Sequence, residues 1–495
     1  MGIILKKGLQ NTIITYLGII LGFVNIVVLQ PYLLDPEEIG LLRTIFAISS
    51  FIALVAPLGI SNITIKYFSY FRNKDKKHHG YLGFALLYTL IGYLIVGILL
   101  YAFSSWIISK YYFNSPLIIQ FFYFIFPMSL FMSVSSVLNN YCNVIYKPVL
   151  PSFLNDIVVR TAYLIIISLY YFNVINLKTL IILYVSIYLL QLITLLIYIL
   201  KTERPQMMYD KEVITLGKAR EMIKYGLPFT LAAVSAVGIK QIDSIMLGWY
   251  TPLSIVGIYT LAMFIPSVIE APIPAIDKIA APKISDAWVK DDHEDIKNIY
   301  FRSSRYLMLL GGLLFLGIVL NVKTLYLLLP HVFSSGINVV YIISLSSLFN
   351  MSSGLNNQII FSSQHYKSGL LFLFLMFIVV VLGNAILIPL FGMTGAAISA
   401  SVGSFIYNVL KYFYIWKKLN LQPFDYNTIR CLIVIGFSAF MGYFIPDLVN
   451  PIFSILCRSA SIALTYGILT YMFKIVPEIN EIINRKLLTF FKREN

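Results

Sequence analysis

The sequence predicts an all-α integral membrane protein with about 14 transmembrane helices, and three observations support this fold class. Of the 495 residues, 59% are hydrophobic and only 12% are charged, whereas an average soluble domain has about 25% charged residues. The mean hydropathy is +0.83. The apolar residues form runs of about 20, the length needed to cross a bilayer. This composition excludes a soluble enzyme, a nucleic-acid-binding domain and a disordered regulator.

Fourteen apolar segments follow one another along the chain, and each predicts one helix. Lys6-Lys7 precede the first segment, but it lacks a small-x-small cleavage site, so we expect a retained helix and not a signal peptide. The turn between the ninth and tenth segments is expected at Pro330-His331 and at residues 334–336. The predicted helices are 9–30, 41–63, 81–103, 117–141, 150–172, 177–200, 222–249, 254–282, 303–322, 336–361, 369–389, 392–415, 429–446 and 450–473.

The basic residues between these segments predict the orientation in the membrane. With the N-terminus inside, the inside connections hold 29 Lys and Arg residues, and the outside connections hold four, namely Arg43, Lys110, Lys178 and Lys323. Lys and Arg are enriched in cytoplasmic loops. Both termini are therefore expected in the cytoplasm, and the formal net charge of +15 reflects these loops and not a nucleic-acid partner.

Common catalytic, nucleotide and metal motifs are missing from the sequence. The three cysteines, Cys142, Cys431 and Cys457, are far apart and have no C-x-x-C spacing, which argues against a disulfide framework or a zinc site. There is no G-x-x-x-x-G-K-[ST], G-x-S-x-G or H-E-x-x-H pattern. We therefore expect neither enzymatic activity nor a bound cofactor, with a coupling ion as the only exception.

A weak internal repeat recurs with an offset of 216–218 residues. Gly8-Leu9-x-x-Thr12 matches Gly226-Leu227-x-x-Thr230, Ile39-Gly40 matches Val256-Gly257, and Pro57 matches Pro274. An offset of six helices gives both copies the same orientation, so the repeats are expected to be parallel, around an axis along the membrane normal. The predicted organisation is a first lobe at 1–200, a linker at 201–221, a second lobe at 222–415, two further helices at 416–473 and a cytoplasmic tail at 474–495.

Ionisable residues within the apolar segments are the best candidates for a functional site, because each costs about 2.5–3.5 kcal/mol on insertion scales. Asp156 and Arg160 are spaced i,i+4 on the fifth helix, and Lys240 and Asp243 are spaced i,i+3 on the seventh, so each pair shares a face. Asn25 falls opposite Asp243 in the repeat. The alternative role for both pairs is a structural salt bridge. The remaining intramembrane charges are Glu270, Asp277, Lys278 and Arg458.

These four remaining charges differ in their expected roles. Glu270 and Asp277 lie on the eighth helix, which also contains Pro266, Pro272, Pro274 and Pro282. A bent helix with a buried carboxylate is a candidate hinge or ion site. Lys278 is close enough to the cytoplasmic end to extend its ammonium group to the surface. Arg458 lies outside both lobes, where a packing role is expected.

Several stretches resemble polysaccharide (O-antigen type) flippases of the multidrug/oligosaccharidyl-lipid/polysaccharide (MOP) exporter superfamily. The segment from Gln241 to Ala262, QIDSIMLGWYTPLSIVGIYTLA, is similar to the seventh-to-eighth helix signature of that family. Leu34–Gly40 resembles its counterpart in the first lobe, and Ile388–Ile398 resembles the turn before the twelfth helix. The likeness extends over essentially the whole chain.

The resemblance implies a MATE-like, V-shaped fold of two lobes in the bacterial inner membrane. It implies movement of an undecaprenyl-pyrophosphate-linked oligosaccharide to the outer leaflet by alternating access, for polysaccharide or O-antigen (lipopolysaccharide) biosynthesis. On this view the substrate-binding candidates are Arg160, Lys240, Asn25, Asp156 and Lys278. The ion-coupling candidates, for H⁺ or Na⁺, are Asp243, Glu270 and Asp277. The implied partners are the lipid-linked oligosaccharide, membrane lipids, a polysaccharide polymerase and glycosyltransferases. The 35 Tyr and 36 Phe residues suit stacking on sugar rings, or else face lipid.

Two other functions compete with this one. A multidrug/cation antiporter of the same superfamily would favour a carboxylate-rich cavity and twelve helices. A membrane-embedded polysaccharide polymerase or ligase would need a large external loop with catalytic Arg or His, and the predicted external loops are short.

Lipid II flippases of the superfamily are expected to have arginines in the first helix, and the predicted first helix, 9–30, has none. This difference argues against a role in peptidoglycan synthesis.

Overall fold

The computed structural model describes residues 2–73, 75–476 and 480–481 of the protein. Within these residues every regular element is helical. The predicted tail at 474–495 lies largely outside the described residues. The helices up to residue 250 are α1 Gly2–Phe23, α2 Gln30–Leu33, α3 Pro36–Val55, α4 Ile60–Phe71, α5 Tyr81–Ala102, α6 Ser104–Tyr111, α7 Pro116–Phe121, α8 Ile125–Val144, α9 Val149–Phe153, α10 Val159–Tyr171, α11 Leu177–Thr202 and α12 Leu216–Tyr250.

The helices after residue 250 continue the same alternation of long helices and short connections. They are α13 Leu253–Ser267, α14 Ile273–Val289, α15 His293–Val319, α16 Val322–Leu327, α17 Ile337–Ser352, α18 Asn356–Phe361, α19 Tyr366–Leu419, α20 Tyr426–Tyr443 and α21 Pro451–Met472. The expected turn between the ninth and tenth spans is present, because Pro330 precedes a 3₁₀ turn at His331–Gly336.

Twelve helical segments among the described residues are long and apolar enough to cross a membrane. One of them, α19, has 54 residues and would be roughly 80 Å long if straight, against a hydrocarbon core of about 30 Å. Its backbone is not helical at Gly392, where φ is 56°, so α19 consists of two arms. Counting the arms separately and adding the 18-residue α20 gives the predicted 14 segments. The fold class is therefore confirmed.

The chain forms two compact units. Within the described residues, the first unit holds the chain up to Leu261 together with Asn384–Ala396. The second unit holds Ala262–Gly383 and the chain from Ala397 onward. Helix α12 belongs to the first unit, although it corresponds to the first helix of the predicted second lobe. The lobe boundaries inferred from the repeat stay a prediction.

Helix α3 begins earlier than the apolar pattern predicts, so Arg43 lies two turns inside it. Asp35 and Glu38 form a capping box, in which the Asp35 backbone N–H donates to Glu38 Oε2 at 3.0 Å, and Pro36 occupies the first helical position, where it is well tolerated. The helix therefore starts at Pro36 and not at residue 41. Arg43 was counted with an outside connection, although it falls within the predicted helix 41–63, and that count was wrong, because this residue lies within a candidate membrane span.

Two π-helical segments interrupt the long helices of the first unit. They cover Val24–Leu29 and Leu154–Val158, and they contain Asn25 and Asp156 respectively. π-Helical turns are rare and are frequent at functional sites. Both polar residues were candidates from sequence alone, and their roles stay a prediction.

The repeat predicted from sequence is visible as a symmetric contact in the first unit. A Cβ atom built on Gly40 of α3 would lie 1.9 Å from the Leu253 carbonyl oxygen, and one built on Gly257 of α13 would lie 1.9 Å from the Pro36 carbonyl oxygen. Both residue pairs are related by the same offset of 217. In a two-fold arrangement, residue i contacts j and j contacts i. The two glycines therefore lie where such a repeat axis would pass.

Asp425 caps helix α20, and its removal gives a measurable loss of stability. Its Oδ1 accepts from the Thr428 backbone N–H at 3.1 Å, and Arg305 donates to its Oδ2 at 2.8 Å. Burial raises the pKa of Asp425, but the bonds from Asn427, Arg305 and Thr428 prevail and hold the pKa below its ordinary value. We expect Asp425→Ala to lower the free energy of unfolding by about 0.5–2 kcal/mol, measured as a lower denaturation midpoint.

The same contribution has a defined pH dependence. Because the pKa of Asp425 is lowered on folding, its stabilisation is complete above the unfolded pKa of about 3.9 and is lost as the pH falls through the folded pKa. The difference between wild type and Asp425→Ala should therefore shrink on acidification. Asp286→Ala, at an exposed position on α14, is the control. An equal loss in both variants, or a difference independent of pH, would contradict this account.

Candidate functional site

A buried carboxylate, Asp243 of α12, is the centre of a polar cluster in the first unit. Its side chain is 1% exposed. The Tyr259 hydroxyl donates to Asp243 Oδ2 at 2.7 Å, and Asn384 Nδ2 donates to Asp243 Oδ1 at 2.7 Å. Three helices, α12, α13 and α19, thus meet at one carboxylate. The Asn384 Oδ1 atom is buried without a hydrogen-bond partner, so the cluster retains one unused acceptor.

Arg43 of α3 lies beside this carboxylate. Its Nε donates to Ser244 Oγ at 3.1 Å, and its Nη2 donates to the Lys240 backbone oxygen at 3.2 Å. Asp243 attracts the guanidinium through space. We call Arg43, Asp243, Ser244, Tyr259 and Asn384 the Asp243 cluster.

The charges of the cluster explain why it is tolerated in an apolar helix bundle. A single buried charge is costly in hydrocarbon, whereas opposite charges that are also hydrogen-bonded largely offset each other's desolvation. Arg43 keeps its donors satisfied by Ser244 and by a backbone carbonyl, and Asp243 receives two neutral donors. The net charge of the cluster is therefore close to zero. The binding of one cation or one proton would give it a net positive charge.

The alternative interpretation of Lys240 and Asp243 as a structural salt bridge was wrong. The Lys240 side chain is exposed, and the described residues include no salt bridge between it and Asp243. The i,i+3 spacing places the two Cβ atoms on neighbouring parts of the α12 surface. Helix α3 packs against this helix and presents Arg43 to Asp243, so the counter-charge comes from another helix.

Three of the predicted substrate-binding residues do come together, around Arg160. Arg160 Nη1 donates to the Gly18 carbonyl of α1, and Asn25 Nδ2 donates to the Arg160 carbonyl at 3.4 Å. The carboxylate of Asp156 attracts the guanidinium. A Cβ atom on Gly18 would lie 2.7 Å from Asp156 Cβ, so close packing of α1 holds this Arg160 group together.

The other predicted residues lie in the second unit, and their surroundings differ. Glu270 is half-buried in a 3₁₀ turn, Val268–Glu270, between α13 and α14. Asp277 of α14 is half-buried and Lys278 is exposed, as expected for a lysine that reaches the surface. Arg458 is 7% exposed and donates to Asp447 at 2.9 Å and to the Leu320 and Ile445 carbonyls, which is a packing role.

Lys411 was counted from sequence among the basic residues of an inside connection, but it is fully buried in the second unit. Its Nζ donates to Asn356 Oδ1 at 2.9 Å and to Asn357 Oδ1 at 2.8 Å, and it lies 3.8 Å from the centre of the Tyr407 ring. Glu270 is the carboxylate that attracts it. The side chain thus connects the short helix α18 to the second arm of α19.

Sequence reasoning missed Arg43, Tyr259 and Asn384. For Arg43 a signal was present, since the Asp35-Pro-Glu-Glu38 pattern is a helix start that places residue 43 two turns inside α3. Tyr259 and Asn384 gave no signal, because one tyrosine among 35 and one amide in an apolar run are unremarkable until a distant carboxylate is placed beside them.

Comparison with known proteins gives the family. The model of the family described as "Polysaccharide biosynthesis protein" matches residues 4–288, which include every member of the Asp243 cluster except Asn384. The chain belongs to this polysaccharide biosynthesis protein family. The flippase resemblance seen in the sequence is thereby confirmed at the level of the family.

One curated relative is an uncharacterized membrane protein, MJ1068, of Methanocaldococcus jannaschii. It is 21% identical over 305 residues, which are 60% of this chain and 59% of the relative. The chain thus matches about three-fifths of that relative's length.

Two solved structures share the fold of this family member. The lipid II flippase MurJ in an inward closed conformation has a TM-score of 0.77 at 14% identity, covering 94% of this chain and 98% of MurJ. An inward-facing multidrug resistance MATE family transporter of the MOP superfamily has a TM-score of 0.65 at 10% identity, covering 82% of this chain and 94% of the transporter. The protein is a multi-pass membrane protein with a transporter fold.

Proposed function

We propose that the protein moves a lipid-linked oligosaccharide, carried on undecaprenyl pyrophosphate, from the inner to the outer leaflet for polysaccharide or O-antigen biosynthesis. The family match over residues 4–288 is the observation that carries this proposal. The fold shared with a lipid II flippase supports it, because that protein also takes a lipid-linked substrate. The movement proceeds by alternating access, and the protein catalyses no covalent step.

The test is flipping by purified protein in vesicles. Liposomes with a fluorescent undecaprenyl-pyrophosphate glycan in both leaflets are treated with an impermeant quencher. Protein-free liposomes should keep about half of the signal, whereas active protein should let the quencher reach nearly all of the lipid. Turnover of ATP above a mock preparation, or no flipping in any gradient, would contradict the proposal.

The second candidate is a multidrug/cation antiporter, which the fold shared with a MATE family transporter favours. It predicts ethidium efflux from the same vesicles, in exchange for an imposed H⁺ or Na⁺ gradient. Flipping without ethidium movement supports the flippase, and the reverse result supports the antiporter.

We infer that an ion gradient drives the movement and that Asp243 is the principal ion-coupling residue, ahead of Glu270 and Asp277. Asp243 is buried between Tyr259 and Asn384, and a rotated Asn384 amide would turn its unpartnered oxygen toward a cation. The vesicle assay tests this by imposing H⁺ and Na⁺ gradients separately, since only the coupling ion should accelerate flipping.

Arg160 is proposed to hold the pyrophosphate, because a guanidinium offers a planar fork of donors. Arg160→Ala should reduce flipping roughly tenfold or more, since charge-assisted hydrogen bonds are worth about 1.5–3 kcal/mol. Arg160→Lys should recover part of the activity, because the charge remains without the fork. Arg220→Ala, at an exposed position on α12, is the matched control. Equal activity in the Arg160→Ala and Arg220→Ala variants would contradict the role.

The proposed location is the bacterial inner membrane, with both termini in the cytoplasm. Single cysteines at Asn73 and Lys290, in a cysteine-free background, should be protected from an impermeant thiol reagent in intact cells, and one at Pro252 should be labelled. Labelling at position 290 would show that the orientation in the membrane is the opposite of the one proposed. The proposed partners are glycosyltransferases on the inner side and a polysaccharide polymerase on the outer side.

A further inference from the structure

Lys411, on the second arm of α19, is a buried cation to which the proposed transport assigns no role. Its side chain is 0% exposed. Its Nζ donates to the Oδ1 atoms of Asn356 and Asn357 at 2.9 and 2.8 Å, and it lies 3.8 Å from the centre of the Tyr407 ring. The described residues include no salt bridge to Lys411, and Glu270 attracts it from a greater distance. The ammonium is thus held by neutral oxygens and by the face of an aromatic ring.

A chain of hydrogen bonds fixes the orientation of the first amide. An ammonium has donors and no acceptor, so Asn356 must turn its oxygen toward Lys411. The Asn356 Nδ2 then donates to Asn408 Oδ1 at 3.4 Å, and Asn408 Nδ2 donates to Asn350 Oδ1 at 3.2 Å. Asn356 and Asn408 are 2% and 1% exposed. The oxygen that faces the ammonium is therefore held in place by amides on two further helical segments, α17 and α19.

The other two contacts complete a site that suits a monovalent cation. The Tyr407 hydroxyl donates to Asn357 Oδ1 at 2.9 Å, so the second amide oxygen is held as well. Amide oxygens bind hard cations, and divalent ions usually take carboxylate ligands in addition. The contacts of Lys411 are two amide oxygens and a ring face, a set that favours a single positive charge. Asn357 is exposed, so the site reaches the surface of the second unit, and a small solute has a way in.

The carboxylate of Glu270 explains why a positive charge is useful at this place. Glu270 is half-buried in the 3₁₀ turn Val268–Glu270, and its charge acts on Lys411 through space. A charge within a membrane span costs free energy, and a nearby charge of opposite sign offsets part of that cost. A dissolved ion would have to be captured at its bulk concentration, whereas a tethered group has a high effective concentration at its site.

We propose that the Lys411 ammonium is a tethered cation, which permanently fills a monovalent-cation site formed by Asn356, Asn357 and Tyr407. A protein that lacks this side chain beyond Cβ therefore binds a free primary ammonium ion at the same place. The second unit takes up no coupling ion at this site, because the protein supplies the cation itself. This inference goes beyond the proposed function, and it holds whatever substrate the protein moves.

Propylammonium is the probe, because it is the part of the lysine side chain that Lys411→Ala removes. The denaturation midpoint of the full-length protein in lipid nanodiscs is measured with increasing propylammonium chloride, and N-methylglucamine chloride keeps the ionic strength constant. We expect Lys411→Ala to lower the midpoint and propylammonium to restore at least half of the loss in a saturable manner, since a ligand that binds only the folded state stabilises it. The wild type should not respond.

Three controls separate a cation site from a space that only needs filling. The neutral alcohol n-propanol has the same length as propylammonium and should restore nothing in Lys411→Ala. Lys411→Met keeps an apolar stem in the same space, so it should lose stability without a response to propylammonium. Lys367→Ala, at an exposed position on the same helix, should behave as wild type. Equal restoration by n-propanol, or no restoration by propylammonium, would overturn the proposal.

A variant of Asn357 keeps the proposal testable if Lys411→Ala does not fold. Asn357→Asp places a carboxylate against the ammonium and keeps an acceptor for Tyr407, so the midpoint should stay unchanged or rise. Asn357→Leu removes the acceptor and should lower it. An equal decrease in both variants would show that the site holds no positive charge, which overturns the proposal. Because every readout is a denaturation midpoint, failure here is distinct from failure of flipping in vesicles.

Discussion

Asp243→Asn is expected to reduce flipping roughly ten- to a hundredfold and to remove its response to an ion gradient. The substitution keeps the shape of the side chain but removes the only carboxylate in contact with Tyr259 and Asn384 among the described residues. It also leaves the half-buried Arg43 without its opposite charge. A charge-assisted hydrogen bond is worth about 1.5–3 kcal/mol, and the Coulombic attraction between Asp243 and Arg43 is lost in addition. Initial rates in vesicles, with and without the gradient, measure the effect.

Companion variants distinguish the charge from the hydrogen bonds. Tyr259→Phe removes one donor and keeps the carboxylate, so we expect a smaller loss and a preserved gradient response. Asp286→Asn, at an exposed position of α14, should behave as wild type. If Asp243→Asn alters folding but leaves the gradient response of the surviving activity intact, Asp243 is a structural residue and coupling occurs elsewhere.

A second variant of Asp243 tests the role of Arg43. Because Arg43 and not Lys240 provides the counter-charge, Asp243→Ala combined with Lys240→Ala should not restore function. The combination of Asp243→Asn with Arg43→Gln removes the buried carboxylate together with the half-buried guanidinium, and it should recover stability relative to Asp243→Asn alone. Recovery by the Lys240 combination would contradict the arrangement of the cluster.

Gly257→Ala is expected to slow flipping strongly and to lower the denaturation midpoint. The new Cβ would lie 1.9 Å from the Pro36 carbonyl oxygen, a distance that no side chain tolerates, so α3 and α13 must separate. Overpacking of this kind costs about 1–3 kcal/mol. Gly40→Ala should have the same effect through the Leu253 carbonyl. Because one substitution already separates the helices, the double variant should lose less than the sum of the two.

The matched control is a glycine without close neighbours. A Cβ atom built on Gly436 of α20 would have no neighbouring atom within 4 Å. Ala also favours the helix over Gly by about 1 kcal/mol. Gly436→Ala should therefore raise the denaturation midpoint or leave it unchanged, and flipping should persist. Equal losses at Gly257 and Gly436 would show that the symmetric crossing has no special role.

Hydropathy alone was sufficient for the fold class, because apolar runs of about 20 residues indicate transmembrane helices, in which each backbone polar group is satisfied within its own segment. The repeat was also readable, and the matched pair Gly40 and Gly257 proved to be the pair that meets in space. Helix starts were predicted less well, since their prediction rested on apolar residues and not on the capping box at Asp35. Arg43 was counted with an outside connection, although it falls within the predicted helix 41–63, and so it was not considered as an intramembrane charge.

The sequence by itself determined that this is a multi-pass helical membrane protein, which residues carry charge within the apolar segments, and that Asp156 and Arg160 share one helix face. That Asn25 joins these two residues was decided by the packing of the helices. The tertiary structure alone decided the partner of Asp243. Spacing along one helix shows which side chains share a face, but the counter-charge on Arg43 and the donors on Tyr259 and Asn384 come from segments far apart in the chain. Such contacts depend on how helices pack, and packing responds to the shape of small residues such as Gly40, Gly257 and Gly18. A pattern in the sequence does not show how these surfaces fit together, because the fit depends on the packed positions of the helices.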